Sequence, residues 1–311
     1  MRILHLLAGL SEASGVANIA RRFVRVQRER GDEAELLAPA VKWNPVFFGL
    51  AFALEAARKA RTADEIWVHC SWTFPVWFGA WLARRYGRRL VVVPEGSFDP
   101  KRLRNHAGWK KRLVAPLDRR VLRAADEVLA LCRDEIGWVK AFEPSAKVGL
   151  GRVPVFFDAG PGSVPDDSAS VGMGTDPLRV LFLGRAEDPL KGVRFLKRVE
   201  EDGRRSGDLP LEVHYVSGKF GDELEKEWAW CDILCLPTLS DNFGLVVAEA
   251  LEHGKRVITT DGAPAWAEYF RKNPRRGVFI SGFRDGTDET RVAALTSAFR
   301  SLASPARRLF P

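Results

Sequence analysis

Short apolar runs recur along this chain, each followed by a stretch in which apolar positions return every three or four residues. In the first half the runs fall at 2–7, 34–39, 65–70, 89–94 and 127–132, and helical patterns fill 16–30, 46–61, 74–86, 107–124 and 134–142. The alternation resumes later, with apolar runs near 179–184, 211–217, 231–236, 256–260 and 277–281. Strand followed by helix, repeated in this way, predicts βαβ units and hence an α/β fold with parallel sheets. Between the two series lies Asp158 to Asp176, rich in Gly, Ser, Pro and Asp and without periodicity. That composition reads as a linker. The expected organisation is a domain at 1–158, a linker at 159–176 and a second domain at 177–311, two Rossmann-like units facing each other across a cleft.

Length and composition are consistent with two domains. A chain of 311 residues with 46% apolar composition can fill two ordinary cores. The four cysteines have no zinc-like spacing, and Cys231-x3-Cys235 lies in or beside an apolar strand, so reduced thiols in a cytoplasmic protein are expected. The opening Met1 to Gly9 has the look of a signal sequence, but it is short and runs into a polar loop, which suits a first strand. No run approaches the roughly 18 apolar residues of a membrane span.

Candidate chemistry concentrates in Pro237-Thr-Leu-Ser-Asp241-Asn242-Phe243-Gly244-Leu245-Val-Val-Ala-Glu249. An apolar strand precedes it, and a helix follows whose core, Leu245 to Leu251, is apolar except for Glu249. A buried Glu implies a polar partner. Backbone amides at a helix start, at the carboxyl end of a strand, favour a phosphate. The segment therefore predicts a phosphorylated, hydroxyl-bearing ligand, with the amides of Asn242, Phe243, Gly244 and Leu245 on phosphate and Glu249 on a ribose. The competing reading makes Asp241 or Ser240 an N-cap and Glu249 half of a structural ion pair. Upstream, the strand 179–184 delivers Arg185 at its carboxyl end and Lys191 stands at the start of the next helix. Two cations on that sheet edge predict a diphosphate clamp.

In this order the two segments resemble the donor-binding half of GT-B glycosyltransferases, specifically the retaining glycosyltransferase family 4. The resemblance rests on Gly184-Arg185, on Lys191-Gly192 and on the Glu-x7-Glu pattern, in which Asp241 stands for the first Glu and Glu249 is the second. It extends to Arg256 through Trp266. Val68 to Pro75 and Pro94 to Pro100 are similar, more weakly, to acceptor-domain segments of bacterial lipopolysaccharide and surface-polysaccharide transferases. The resemblance implies transfer of a sugar from a nucleotide-sugar donor to a hydroxyl of a glycan or lipid-linked glycan. Arg185, Lys191 and Asp241 would carry the chemistry, with no metal and no cofactor, since the cations can balance the leaving diphosphate. The alternatives are a nucleotide-sugar epimerase of the same fold and a non-catalytic nucleotide-sugar-binding subunit. Acceptor-side candidates are Gly15, which with Ser14 replaces the family's double-glycine loop, His69 at the end of a strand, and Glu95, where relatives frequently have a histidine. The chain also stops early for the family at Arg307 to Pro311, with little left for its usual crossover helix.

Charge adds a partner. Residues 1–158 carry a net +10 and residues 159–311 a net −2, together the +8 of the whole chain. Basic clusters such as Arg21, Arg22, Arg25, Arg28 and Arg30 occur alongside the aromatic stretch Trp72 to Trp81. Cations with aromatics suit an anionic membrane surface, reached peripherally from the cytoplasm. No nucleic-acid recognition motif is present, so nucleic acid is not an expected partner.

Overall fold

The structure is a computed structural model that describes residues 1–11, 14–39, 49–105, 108–151 and 177–303. The expected linker at 159–176, the start of the helix expected at 46–61 and the closing Arg307 to Pro311 lie outside the described residues. The chain divides into two compact units, Met1–Val155 and Phe156–Pro311.

The first unit runs β1 (Arg2–Leu6), α1 (Gly15–Glu29), β2 (Glu33–Leu37), α2 (Leu50–Ala60), β3 (Glu65–His69), α3 (Phe74–Tyr86), β4 (Arg89–Val93), α4 (Pro100–Asn105), α5 (Gly108–Ala124), β5 (Glu127–Ala130), α6 (Arg133–Phe142) and β6 (Val148–Leu150). Its six strands form one sheet in the order β2-β1-β3-β4-β5-β6, every adjacent pair parallel. The sides of β1 show why the apolar runs are unbroken. Leu4 and Leu6 pack with Phe52 and Ala56 of α2, Val76 and Ala80 of α3, and Val121 and Leu122 of α5. Ile3 turns the other way, onto Val24 of α1 and Ala34 of β2. Both faces are covered, so both sets of side chains must be apolar. Local signals set the ends of the helices: the Ser14 hydroxyl accepts the Ala17 N–H at the start of α1, and Gly87 closes α3 in the left-handed conformation.

The second unit runs β7 (Leu178–Leu183), α7 (Val193–Ser206), β8 (Leu211–Val216), α8 (Asp222–Trp230), β9 (Ile233–Leu236), α9 (Leu245–Glu252), β10 (Arg256–Thr260), α10 (Ala267–Lys272), β11 (Gly277–Ile280) and α11 (Asp288–Ala303). Its strands are ordered β11-β10-β9-β7-β8, again all parallel. All four residues of β9 are buried.

Strand order decides where each sheet can hold a ligand. Successive connections leave β1 toward β2 on one side and toward β3 on the other, and in the second sheet β7 and β9 flank the same kind of reversal. At such a switch point the loops after neighbouring strands part to opposite faces, leaving a crevice at the carboxyl ends. The loops after β7 and β9 hold the segments singled out above, and the ends of β1 and β3 hold His5 and His69.

Candidate active site

In the second unit three loops lock together at the switch point. The loop after β7 makes a single 3₁₀ turn, Pro189–Lys191, started by the Asp188 side chain accepting the Leu190 N–H at 3.0 Å. It ends at Gly192, whose φ of 68° lies in the left-handed region and whose position lets the backbone press on the loop after β9. A Cβ there would sit 1.9 Å from the Pro237 carbonyl oxygen. The same two loops are tied by Leu239 N–H to Leu190 O at 2.7 Å and by Thr238 Oγ1 to Leu190 O at 2.9 Å. The loop after β10 closes the set: Asp241 N–H donates to Gly262 O at 2.6 Å, and the Trp266 indole N–H donates to Phe243 O.

This scaffold brings Lys191 and Asp241 together as a largely buried ion pair linking the β7 and β9 loops. Asp241 also accepts the Gly244 N–H through Oδ1 at 3.1 Å, so the Gly244 amide, expected to face a phosphate, is directed to its own loop. Gly244 has φ 65° and leads into α9, with Leu245 as the first helical residue. Asn242 and Phe243 are buried, and Phe243 tilts against Trp266 with ring centroids 5.3 Å apart. Arg185 stays exposed at the end of β7 and pairs with Asp188 at 3.2 Å. Glu249 corrects the sequence expectation. It is half-buried rather than enclosed, because Val247, Ala248, Ala250 and Leu251 take the inner face of α9. The eight-residue helix gives position 249 a partly open side, which the apolar composition of the segment hid.

An ammonium has three donors, so Lys191 can hold Asp241 and an added phosphate oxygen together. Arg185, Lys191 and the amino end of α9 lie on the loops after β7 and β9 of the second sheet, with each cation paired to an aspartate, Asp188 and Asp241.

The first unit carries a second polar cluster, and most of it was not legible in the sequence. His69 is not a lone histidine. Its Nε2 meets Nδ1 of His5 at 2.9 Å, its Nδ1 meets Oε1 of Glu95 at 2.8 Å, and His5 Nε2 meets Oε1 of Gln27 on α1 at 2.8 Å. All four side chains are buried. Burial pushes His5 down to about 4 and His69 well below the usual imidazole value, while burial, then the neighbouring Cys70 and Glu135, push Glu95 well above the usual carboxyl value. A polar residue inside the apolar run Ile3-Leu4-His5-Leu6-Leu7 was the available signal for His5. Nothing local marked Gln27, which sits on the inner face of α1 only once that helix packs. Gly15 begins α1 beside this end of β1, and a Cβ there would meet nothing within 4 Å. After β3 the chain turns through Cys70 and Trp72 at φ 70° and 68°. Asp118 of α5 pins that turn by accepting the Trp72 backbone N–H and the Trp77 indole N–H, each at 3.0 Å, and burial raises its carboxyl to about 6.

Two parallel-sheet units, each with polar side chains at its switch point, are the architecture of GT-B proteins. Residues 3–148 match the glycosyl transferase 4-like domain and residues 204–294 match glycosyl transferases group 1. The chain belongs to these glycosyltransferases. Among solved structures it is similar to Anabaena HepE in complex with UDP and glucose, at 17% identity over 98% of this chain and 95% of that one, with TM-score 0.57. WaaG, a glycosyltransferase involved in lipopolysaccharide biosynthesis, shares 15% identity over 99% and 94% of the two chains at TM-score 0.61. The catalytic domain of starch synthase IV from Arabidopsis thaliana, bound to ADP and acarbose, shares 11% over 99% and 93% at TM-score 0.60. No curated protein matches the chain by sequence.

Proposed function

We propose that the chain moves a sugar, with retention, from a nucleoside-diphosphate sugar to a hydroxyl of a glycan or lipid-linked glycan of the cell envelope. The observation that carries this reading is the ion pair of Lys191 with Asp241, which joins the loops after β7 and β9 at the switch point, where Arg185 and the start of α9 also lie. The cations stabilise the departing diphosphate, Asp241 meets hydroxyls of the transferred sugar, and Glu249 meets the ribose. Nucleotides in HepE and starch synthase support the donor class, and WaaG supports an envelope acceptor. Countercharge from the side chains makes transfer independent of a metal, so a chelator should leave turnover unchanged; loss restored by magnesium or manganese would overturn this. Thermal shifts across nucleoside diphosphates and nucleotide sugars, followed by transfer assays with the stabilising donor, test the whole reading. Lys191→Ala should weaken diphosphate binding by roughly 1.5–3 kcal/mol, the range for a charge-assisted contact, while nucleoside binding changes little.

The same reading places the protein on an anionic membrane surface of the cytoplasm. Among the described residues no helix is long and apolar enough to cross a membrane. The layer formed by α2, α3 and α5 instead exposes Leu50 and Leu54, one turn apart, with Trp81, Leu113 and Leu117. Phe74, Phe78 and Trp81 stack along α3 at 5.1 and 5.5 Å, and Arg58, Arg84, Arg85 and Arg112 are exposed in the same layer. Apolar side chains among arginines suit the headgroup region.

A further inference from the structure

The buried chain from Gln27 to Glu95 has one proton to place in each link, and counting them assigns a charge state. Gln27 Oε1 can only accept, so His5 donates through Nε2. Neutral His5 then has a lone pair at Nδ1, which takes the proton of His69 Nε2. His69 Nδ1 and Glu95 Oε1 then share the last proton, and with both side chains buried and Oε2 without a partner it stays on the carboxyl rather than making an imidazolium–carboxylate pair. Turning the Gln27 amide reverses every link and leaves Glu95 Oε1 an acceptor, so that the carboxyl is either an anion or an acid whose Oε2 hydroxyl has no acceptor. That anion would keep Oε2 buried without a partner, the only carboxyl oxygen so placed among the described residues. It would also lie near the buried carboxyl of Glu135 on α6, which accepts the Gly96 and Leu131 amides. An uncharged carboxyl bears an unpartnered oxygen at far lower cost than a carboxylate does. Backbone geometry marks the place independently. Cys70, Trp72 and Glu95 are the non-glycine residues at positive φ among those described, all at the carboxyl ends of β3 and β4 beside the first switch point. Strain of that kind persists where the surroundings enforce it, and it gathers at functional sites.

We propose that Glu95 works in this enzyme as an uncharged carboxylic acid, and that His69, His5 and Gln27 are positioning residues that hold its proton. Oε2 is then an enclosed neutral oxygen that calls for no cation. The inference rests on the glycosyltransferase reading for the activity that its test reads but not for the charge state.

Infrared spectra of protein with ¹³C-labelled glutamate, wild type against Glu95→Gln, should show at neutral pH a protonated-carboxyl band that the variant lacks. Nitrogen NMR should find both His5 and His69 neutral with the proton on Nε2. His5→Leu removes the acceptor of His69 Nε2–H, so the His69 proton should move to Nδ1 and donate to Glu95 Oε1, the carboxyl proton passing to Oε2 and the protonated-carboxyl band shifting in frequency; a merely structural role predicts no such change. Glutamine can donate to His69 Nδ1 as the acid does, so Glu95→Gln should keep transfer within about tenfold of wild type, the factor equivalent to 1.4 kcal/mol. A carboxylate band in wild type, a His69 proton on Nδ1, or a greater loss in a folded Glu95→Gln protein would overturn the proposal. If that variant does not fold, the wild-type spectra and His5→Leu decide it. Wild-type protein that transfers no sugar would count against the glycosyltransferase reading and leave the spectra standing.

Discussion

Lys191 and Asp241 show how a single residue's role depends on its partner. Each is separated from the other by fifty positions in the chain, yet they pair across two loops, so the acid expected on the sugar also positions the base expected on phosphate. Buried titrating groups make a residue-scale prediction for stability. Folded His5 titrates at about 4, and the unfolded chain takes up that proton below about 6.5. The unfolded state therefore binds more protons between these values, and the stability contributed by neutral His5, on the order of 3 kcal/mol, is complete above about 6.5 and lost as pH falls toward about 4. His69, shifted in the same direction by burial and by His5, steepens the limb. Glu95 acts oppositely: its proton is retained on folding, so its contribution is complete below the ordinary carboxyl value of 4.5 and declines as pH rises through its folded value. Melting temperatures followed from pH 4 to 7 should rise steeply in wild type and less steeply in His5→Leu. Equal slopes would remove the histidines from the linkage.

At the scale of elements, the proposed donor site is a matter of loops held by glycine. Gly192 combines a left-handed φ with a Cβ path blocked by the Pro237 carbonyl, and Gly262 would place a Cβ 2.0 Å from Thr238 O. Backbone atoms cannot swing aside as a side chain would. Gly192→Ala should cost roughly 2–4 kcal/mol of stability and also weaken nucleotide binding, since it parts the β7 and β9 loops that carry Arg185 and Asp241. Melting and calorimetric titration on one variant check both effects, and normal affinity with normal stability would show that the loops do not need their close approach. Most elements were legible because each is an uninterrupted pattern; α1 and β3, for example, lie within a residue of the positions expected. The three-residue edge strand β6 and the six-residue α4 were not, being too short to show a period.

For the whole molecule, the two units divide charge and apolar surface unequally. The +10 net charge lies in residues 1–158, which also present the exposed leucines and Trp81 of the α2, α3 and α5 layer. Vesicles containing anionic lipid should therefore sediment the protein, neutral vesicles much less, and binding should weaken between about 0.05 and 0.5 M salt as screening shortens the reach of the arginines. Exchanging Leu50, Leu54 and Leu113 for serine should lower binding to anionic vesicles while leaving nucleotide affinity unchanged. Retained sedimentation by that variant would take the membrane contact away from this layer.

By itself the sequence determined that the chain is α/β with two series of parallel strands, and it singled out the segments after β7 and β9 as donor-side candidates, because periodicity and motif are local properties that survive in one dimension. Its resemblance to a glycosyltransferase family also rests on local segments, Gly184 to Gly192 and Asp241 to Glu249 foremost. Tertiary structure decided the pairings. That Lys191 meets Asp241, that Glu249 lies at a partly open helix side, and that Gln27, His5, His69 and Glu95 form one buried chain depend on residues brought together from different strands and helices. Hydrogen bonding and burial act across space, so the hydrogen-bonded chain that ends at Glu95 became readable only when the partner of every nitrogen in it was known.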